Sequence, residues 1–157
     1  MLIRGELLDE VGWLDPIFFS FYEEIDLCRR ARAHGFEIAL VPRSRIHHHR
    51  GGSWEATPAK RLERDRVCDY SQFIYELTDP QRSGFANLRS SLRTFATKLK
   101  ETLVEQRWRR IIDLLGLQLS LLADARRIGR KWSTDRARLE AFQSRAHTEE
   151  RRRRDYG

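Results

Sequence analysis

Apolar and polar residues alternate along this chain with two different rhythms, and the change falls near Pro58. Beyond it, apolar residues return every three or four positions. Val67, Tyr70, Ile74 and Leu77 predict one amphipathic helix that stops at Thr78-Asp79-Pro80, and Phe85, Leu88, Leu92, Phe95, Leu99 and Leu103 predict a second. Trp108 to Leu122 is apolar on almost every side, broken by Asp113, Gly116 and Gln118, and predicts a third. A last helix is expected from about Ser133, with Arg151 to Arg154 at a charged, fraying end.

Before Pro58 the pattern is shorter and richer in turns. Leu2 to Val11 has mixed periodicity and ends at Gly12, as a strand end or a short helix would. Asp15-Pro16 marks a turn, and Ser20 with Glu23 matches the S-x-x-E capping box, so a helix is expected from about Tyr22 to Ala33, stopped by Gly35. Phe36 to Val41, held between that glycine and Pro42, has the length and composition of a buried strand. Arg43 to Ser53 is expected to be a loop. Residues 1–57 therefore read as a compact motif region and 58–157 as a helical extension.

Composition sharpens this division. The 157 residues are near the common size of one domain, and 34% charged with 40% hydrophobic residues excludes an integral membrane protein and an acidic disordered chain. No apolar run reaches the roughly 18 to 20 residues of a bilayer span, and the start lacks a signal-peptide pattern, so a cytoplasmic location is expected, with the cytoplasmic face of the membrane as an alternative. Cys28 and Cys68 form no CxxC pair and are expected to be reduced thiols. The net charge of +7 is uneven: up to residue 57 there are 7 basic and 9 acidic residues, net −2, and beyond it 23 and 14, net +9.

Two segments carry candidate chemistry. Phe21 to Arg30 places Glu23, Glu24 and Asp26 in the first turn of the expected helix. Such carboxylates either stabilise the helix dipole and pair with Arg29 and Arg30, or supply a general base. Ile46 to Ser53 carries His47, His48 and His49 followed by Arg50-Gly51-Gly52. Without spaced partner ligands a complete zinc site is not expected. One histidine completing a divalent-metal or diphosphate site and a plain basic surface loop both remain open.

In order and spacing, several of these elements resemble the later part of the catalytic domain of family 2 inverting glycosyltransferases of the rhamnosyltransferase-like kind. The resemblance covers about Met1 to Ser53. It rests on Met-Leu-Ile-Arg, Val11 to Asp15, Phe18-Phe19, Glu-Glu-Ile-Asp-Leu-Cys-x-Arg, Gly35 before a segment ending in Pro42, and the His-His-x-Gly-Gly-Ser loop. It implies an α/β remnant, a partial A-type glycosyltransferase fold, followed by an all-α extension, mostly helical overall. It also implies Glu24 as the base that deprotonates an acceptor hydroxyl, with Asp26 as second candidate because many members carry Asp at the Glu24 position. His48 would lie at the metal and diphosphate, and Trp13 and Asp15 on the acceptor side.

The implied activity is inverting transfer from a nucleotide-diphosphate sugar to a glycan or lipid-linked acceptor in cell-surface polysaccharide synthesis, assisted by Mg or Mn. The family's upstream half with its Asp-x-Asp motif has no counterpart, and no Asp-x-Asp occurs in the chain. The polypeptide alone is therefore expected to be an inactive fragment. The alternative is a non-enzymatic basic helical module that binds anionic membrane or a partner protein. Trp108 to Trp132, apolar in the centre with arginines at both ends, would then lie on a bilayer surface. Burial against the catalytic region or in a homo-oligomer accounts for it equally well, and nucleic acid is not an expected partner.

Overall fold

In a computed structural model, residues 2–47, 57–106 and 108–156 are described. Among them lie α1 (Gly5–Val11), α2 (Glu23–Ala33), α3 (Pro58–Leu77), α4 (Gly84–Val104), α5 (Trp108–Ala123) and α6 (Ala125–Tyr156). Helix starts follow local chemistry where a cap is present. Thr57 Oγ1 accepts from the Lys60 amide at 3.2 Å beside the proline that opens α3, and Ser83 Oγ accepts from the Ala86 amide at the start of α4.

The expected α/β remnant is not what the chain forms, since every regular element among the described residues is helical. Phe36 to Val41 is irregular, with Ile38 and Val41 exposed and Leu40 89% exposed. Nor do Leu2 to Arg4 form a strand. The physical reason is pairing: a strand needs a neighbour to take its amides and carbonyls, and no described segment lies beside this one as a ladder partner.

One apolar core joins the two parts of the chain. Ile17 and Phe18, from the turn between α1 and α2, pack with Phe73 and Ile74 of α3, Leu117 and Leu121 of α5, and Ile128 of α6. The turn after α3 is tied from several sides. Asn87 Nδ2 donates to the Leu77 and Asp79 carbonyls at 3.2 and 3.0 Å, Trp132 Nε1 to Asp79 at 3.2 Å, and Arg136 to Pro80 at 3.1 Å.

α4 is turned largely against its hydrophobic pattern, although Phe95 of its stripe packs against the core. Phe85, Leu88, Leu92 and Leu103 of the expected core stripe are exposed, while Asn87, Ser91 and Thr102 are buried. The acceptors on α3 explain the inversion. Glu76 accepts from Ser90 at 3.1 Å and from Thr94 at 2.7 Å, and Asp69 accepts from Lys98 at 2.9 Å, so the polar stripe of α4 is the one α3 can satisfy. α6 also starts earlier than Ser133. After the single residue Asp124, whose carbonyl accepts the Ile128 amide at 3.0 Å, it runs for 32 residues.

Phe73 is fully buried and Phe85 is 77% exposed. Urea unfolding is expected to show Phe73→Ala destabilised by about 3 to 5 kcal/mol and Phe85→Ala within about 0.5 kcal/mol of the parent.

Candidate functional site at the start of α2

Asp26 is fully buried and lies at the centre of a cluster of ionised groups. Its Oδ1 accepts from Arg29 Nη2 at 2.6 Å; its Oδ2 accepts from Arg30 Nε and from Lys131 Nζ, both at 2.9 Å. Lys131 also donates to Asp135 at 2.7 Å and lies 3.5 Å from Asp15 Oδ2. Three carboxylates thus face three cations, which makes this burial of charge tolerable.

The arginines carry the cluster outward to two helix ends. Arg30 donates to the carbonyls of Val11, Gly12 and Trp13, the last at 2.9 Å, and so closes the C-terminus of α1. Arg29 does the same for α3, donating to the Tyr75 carbonyl at 2.5 Å and the Thr78 carbonyl at 3.2 Å, with its guanidinium 4.0 Å from the centre of the Tyr75 ring. Gly12, at φ 78°, leaves room for the Arg138 guanidinium, which donates to the Val11 carbonyl at 3.0 Å; a Cβ at residue 12 would collide with it.

Glu24 has the opposite surroundings. It is exposed, and no hydrogen bond or ion pair engages it among the described residues. Side chains two apart on a helix point in different directions, so locking Asp26 inward turns Glu24 outward. The expected capping box does not form. Tyr22 is the N-cap without a side-chain cap bond, Ser20 instead uses its carbonyl to accept from Ser71 Oγ at 2.8 Å, and Glu23 Oε2 is buried without a hydrogen-bond partner among the described residues. Phe21 and Tyr22 both hold left-handed backbone, φ 65° and 67°. For non-glycine residues this conformation costs roughly 1 to 3 kcal/mol each, and it sets the entry into α2.

The other predicted residues are placed as follows. Trp13 is 75% exposed, its carbonyl tied to Arg30. Asp15 Oδ1 accepts from the Ile17 amide at 2.9 Å, forming the turn that its sequence suggested. His48 lies outside the described residues. The structure therefore brings Trp13, Asp15 and Asp26 to one cluster and leaves Glu24 on the open side of the same helix.

Asp26, the second candidate base of the sequence, lies in this structure as the anchor of the ion cluster. Burial alone would raise its pKa, but Lys131, Arg30 and Arg29 outweigh it and hold the carboxyl below its ordinary range, the reverse of what a proton acceptor needs. Both of its oxygens are engaged by cations, and no group of three or more metal-ligating side chains occurs among the described residues. Sequence reasoning paired Asp26 with Arg29 and Arg30 but missed Lys131 and Asp135, which lie more than a hundred residues on and had only their own i, i+4 spacing as a signal.

No protein-family model matches the chain, and no solved structure does. Over 82 residues, 50% of the chain, it is 34% identical to a protein of Sinorhizobium fredii called only "Uncharacterized protein y4gI". The chain spans 9% of that protein's length.

Replacing Asp26 with Asn leaves Arg30 and Lys131 buried without their shared anion and is expected to cost about 3 to 5 kcal/mol in chemical unfolding. Because the folded-state pKa of Asp26 is depressed, its contribution is complete above the unfolded value, about 3.9. It fades as pH falls through the lower folded-state value. Below about pH 4 the parent should lose stability more steeply than Asp26→Asn; parallel acid profiles would count against the cluster.

Proposed function

We propose that the start of α2 is the acceptor side of an inverting glycosyltransferase that uses nucleotide-diphosphate sugars, with Glu24 as the base. The observation that supports it most is the split between neighbours: Asp26 locked in the interior, Glu24 exposed and unengaged at the helix start. A carboxylate so placed can accept the proton of an acceptor hydroxyl as that oxygen attacks the anomeric carbon. Exposed Trp13 and Phe19, in the segment leading to α2, offer apolar faces on which a sugar ring can rest. Arg30 ties that segment to α2, and Asp15 folds its turn and reaches Lys131 of α6.

The test is Glu24→Gln in the enzyme completed with a nucleotide-binding half, followed by release of nucleoside diphosphate from nucleotide sugars in the presence of glycan or lipid-linked acceptors. Removing a general base is expected to lower kcat by roughly 10² to 10⁴ with the donor KM little changed. Full turnover by the variant, or no turnover by the parent with any nucleotide sugar, would remove the reading.

A further inference from the structure

Counted at 3.6 residues a turn straight through Asp124, the buried positions of α5 and α6 share one side: Leu114, Leu117, Leu121, Ile128, Lys131 and Asp135. Every carboxylate from residue 108 to 135 also lies on this side. Asp113, Asp124 and Asp135 recur every 11 residues, close to three whole turns, and are engaged by Arg66, by Tyr70 with Arg127, and by Lys131 respectively. The opposite side has a different composition. Trp108, Ile112, Leu115, Leu119 and Leu122 are all exposed there, and the same line continues into Arg126 and Arg130, which are exposed and in no ion pair among the described residues.

α4, packed beside α5, repeats the arrangement. Its exposed apolar residues Phe85, Leu88, Leu92 and Leu103 are flanked by the exposed cations Arg89, Arg93 and Lys100, which likewise have no carboxylate partner among the described residues. Two neighbouring helices thus present apolar and cationic residues to solvent side by side, while Asp113, the carboxylate of α5, is engaged by Arg66 of the protein.

We propose that these outward faces dock the chain on an anionic lipid bilayer surface. This is independent of the role given to Glu24. Charge complementarity selects the occupant: the apolar stripe enters the acyl boundary while the arginines meet lipid phosphates. In a two-fold contact with a second copy, arginines would oppose arginines with no carboxylate on the face to receive them. A nucleic-acid groove would leave the leucines without an apolar partner. No helix among the described residues is long and apolar enough to cross a membrane, so α5 lies along the surface.

The experiment is flotation of the full chain with phosphatidylcholine vesicles, alone or containing roughly a third phosphatidylglycerol, alongside sedimentation velocity without lipid. The parent should float only with the anionic vesicles, and less as salt rises. Leu115→Glu and Leu119→Glu should each cut the floated fraction about tenfold, while Arg126→Gln combined with Arg130→Gln should weaken flotation and flatten its salt dependence. All four positions are exposed, so unchanged thermal melting is the expected control. Failure to float with anionic vesicles would overturn the proposal. So would flotation that the glutamate variants leave intact, or a lipid-independent dimer that Leu119→Glu dissolves.

Discussion

A single buried carboxylate sets the arrangement of the chain. Asp26 holds Arg29, Arg30 and Lys131 together, and each cation reaches a different element: α3 through Arg29, α1 through Arg30, α6 through Lys131. The apolar core beside it is modest, a handful of residues from the turn before α2 and from α3, α5 and α6. Non-directional packing of that size permits several orientations of α2. The ion cluster permits far fewer, because a buried carboxylate oxygen displaced from its donors retains the full cost of its lost hydration. Registry among these four helices is thus an electrostatic matter as much as a hydrophobic one.

Helix interiors and ends were largely legible where local chemistry decides them. Gly35 does end α2, at φ 76°, and Thr57-Pro58 does open α3. Contacts distant in sequence were not legible. Ser20 and Glu23 have capping-box spacing, but left-handed Phe21 and Tyr22 move the helix start two residues on, while Ser71 on α3 takes the Ser20 carbonyl. Phe36 to Val41 has a strand's composition, yet composition cannot supply a pairing partner. The apolar stripe of α4 correctly marks a helix and misassigns its inner face, because Glu76 and Asp69 on α3 draw the polar side inward.

That inversion has its origin in α3. Asp69 of α3 is buried and needs donors, and Arg110 of α5 joins Lys98 of α4 on it, at 2.6 and 2.9 Å. On α4 the donors take the inner side and leave Phe85, Leu88, Leu92 and Leu103 outside, whereas α5 keeps Leu114, Leu117 and Leu121 inside beside Arg110. The exposed apolar face of α4 follows from satisfying the interior first.

The same logic separates the two acids of α2 that the sequence alone could not. Glu24 and Asp26 share a helix turn and a charge, and spacing makes either one a base or a structural ion. Their difference comes from Lys131, delivered by α6 from the far end of the chain. With that cation in place, Asp26 has a depressed pKa and no free oxygen, while two residues earlier the helix has rotated Glu24 into solvent. Mobility of Glu24 is limited by its backbone, since α2 is held by Arg29 and Arg30 at both neighbouring helix ends. An exposed carboxylate on a helix anchored from behind suits a proton acceptor that must meet its substrate in a defined direction.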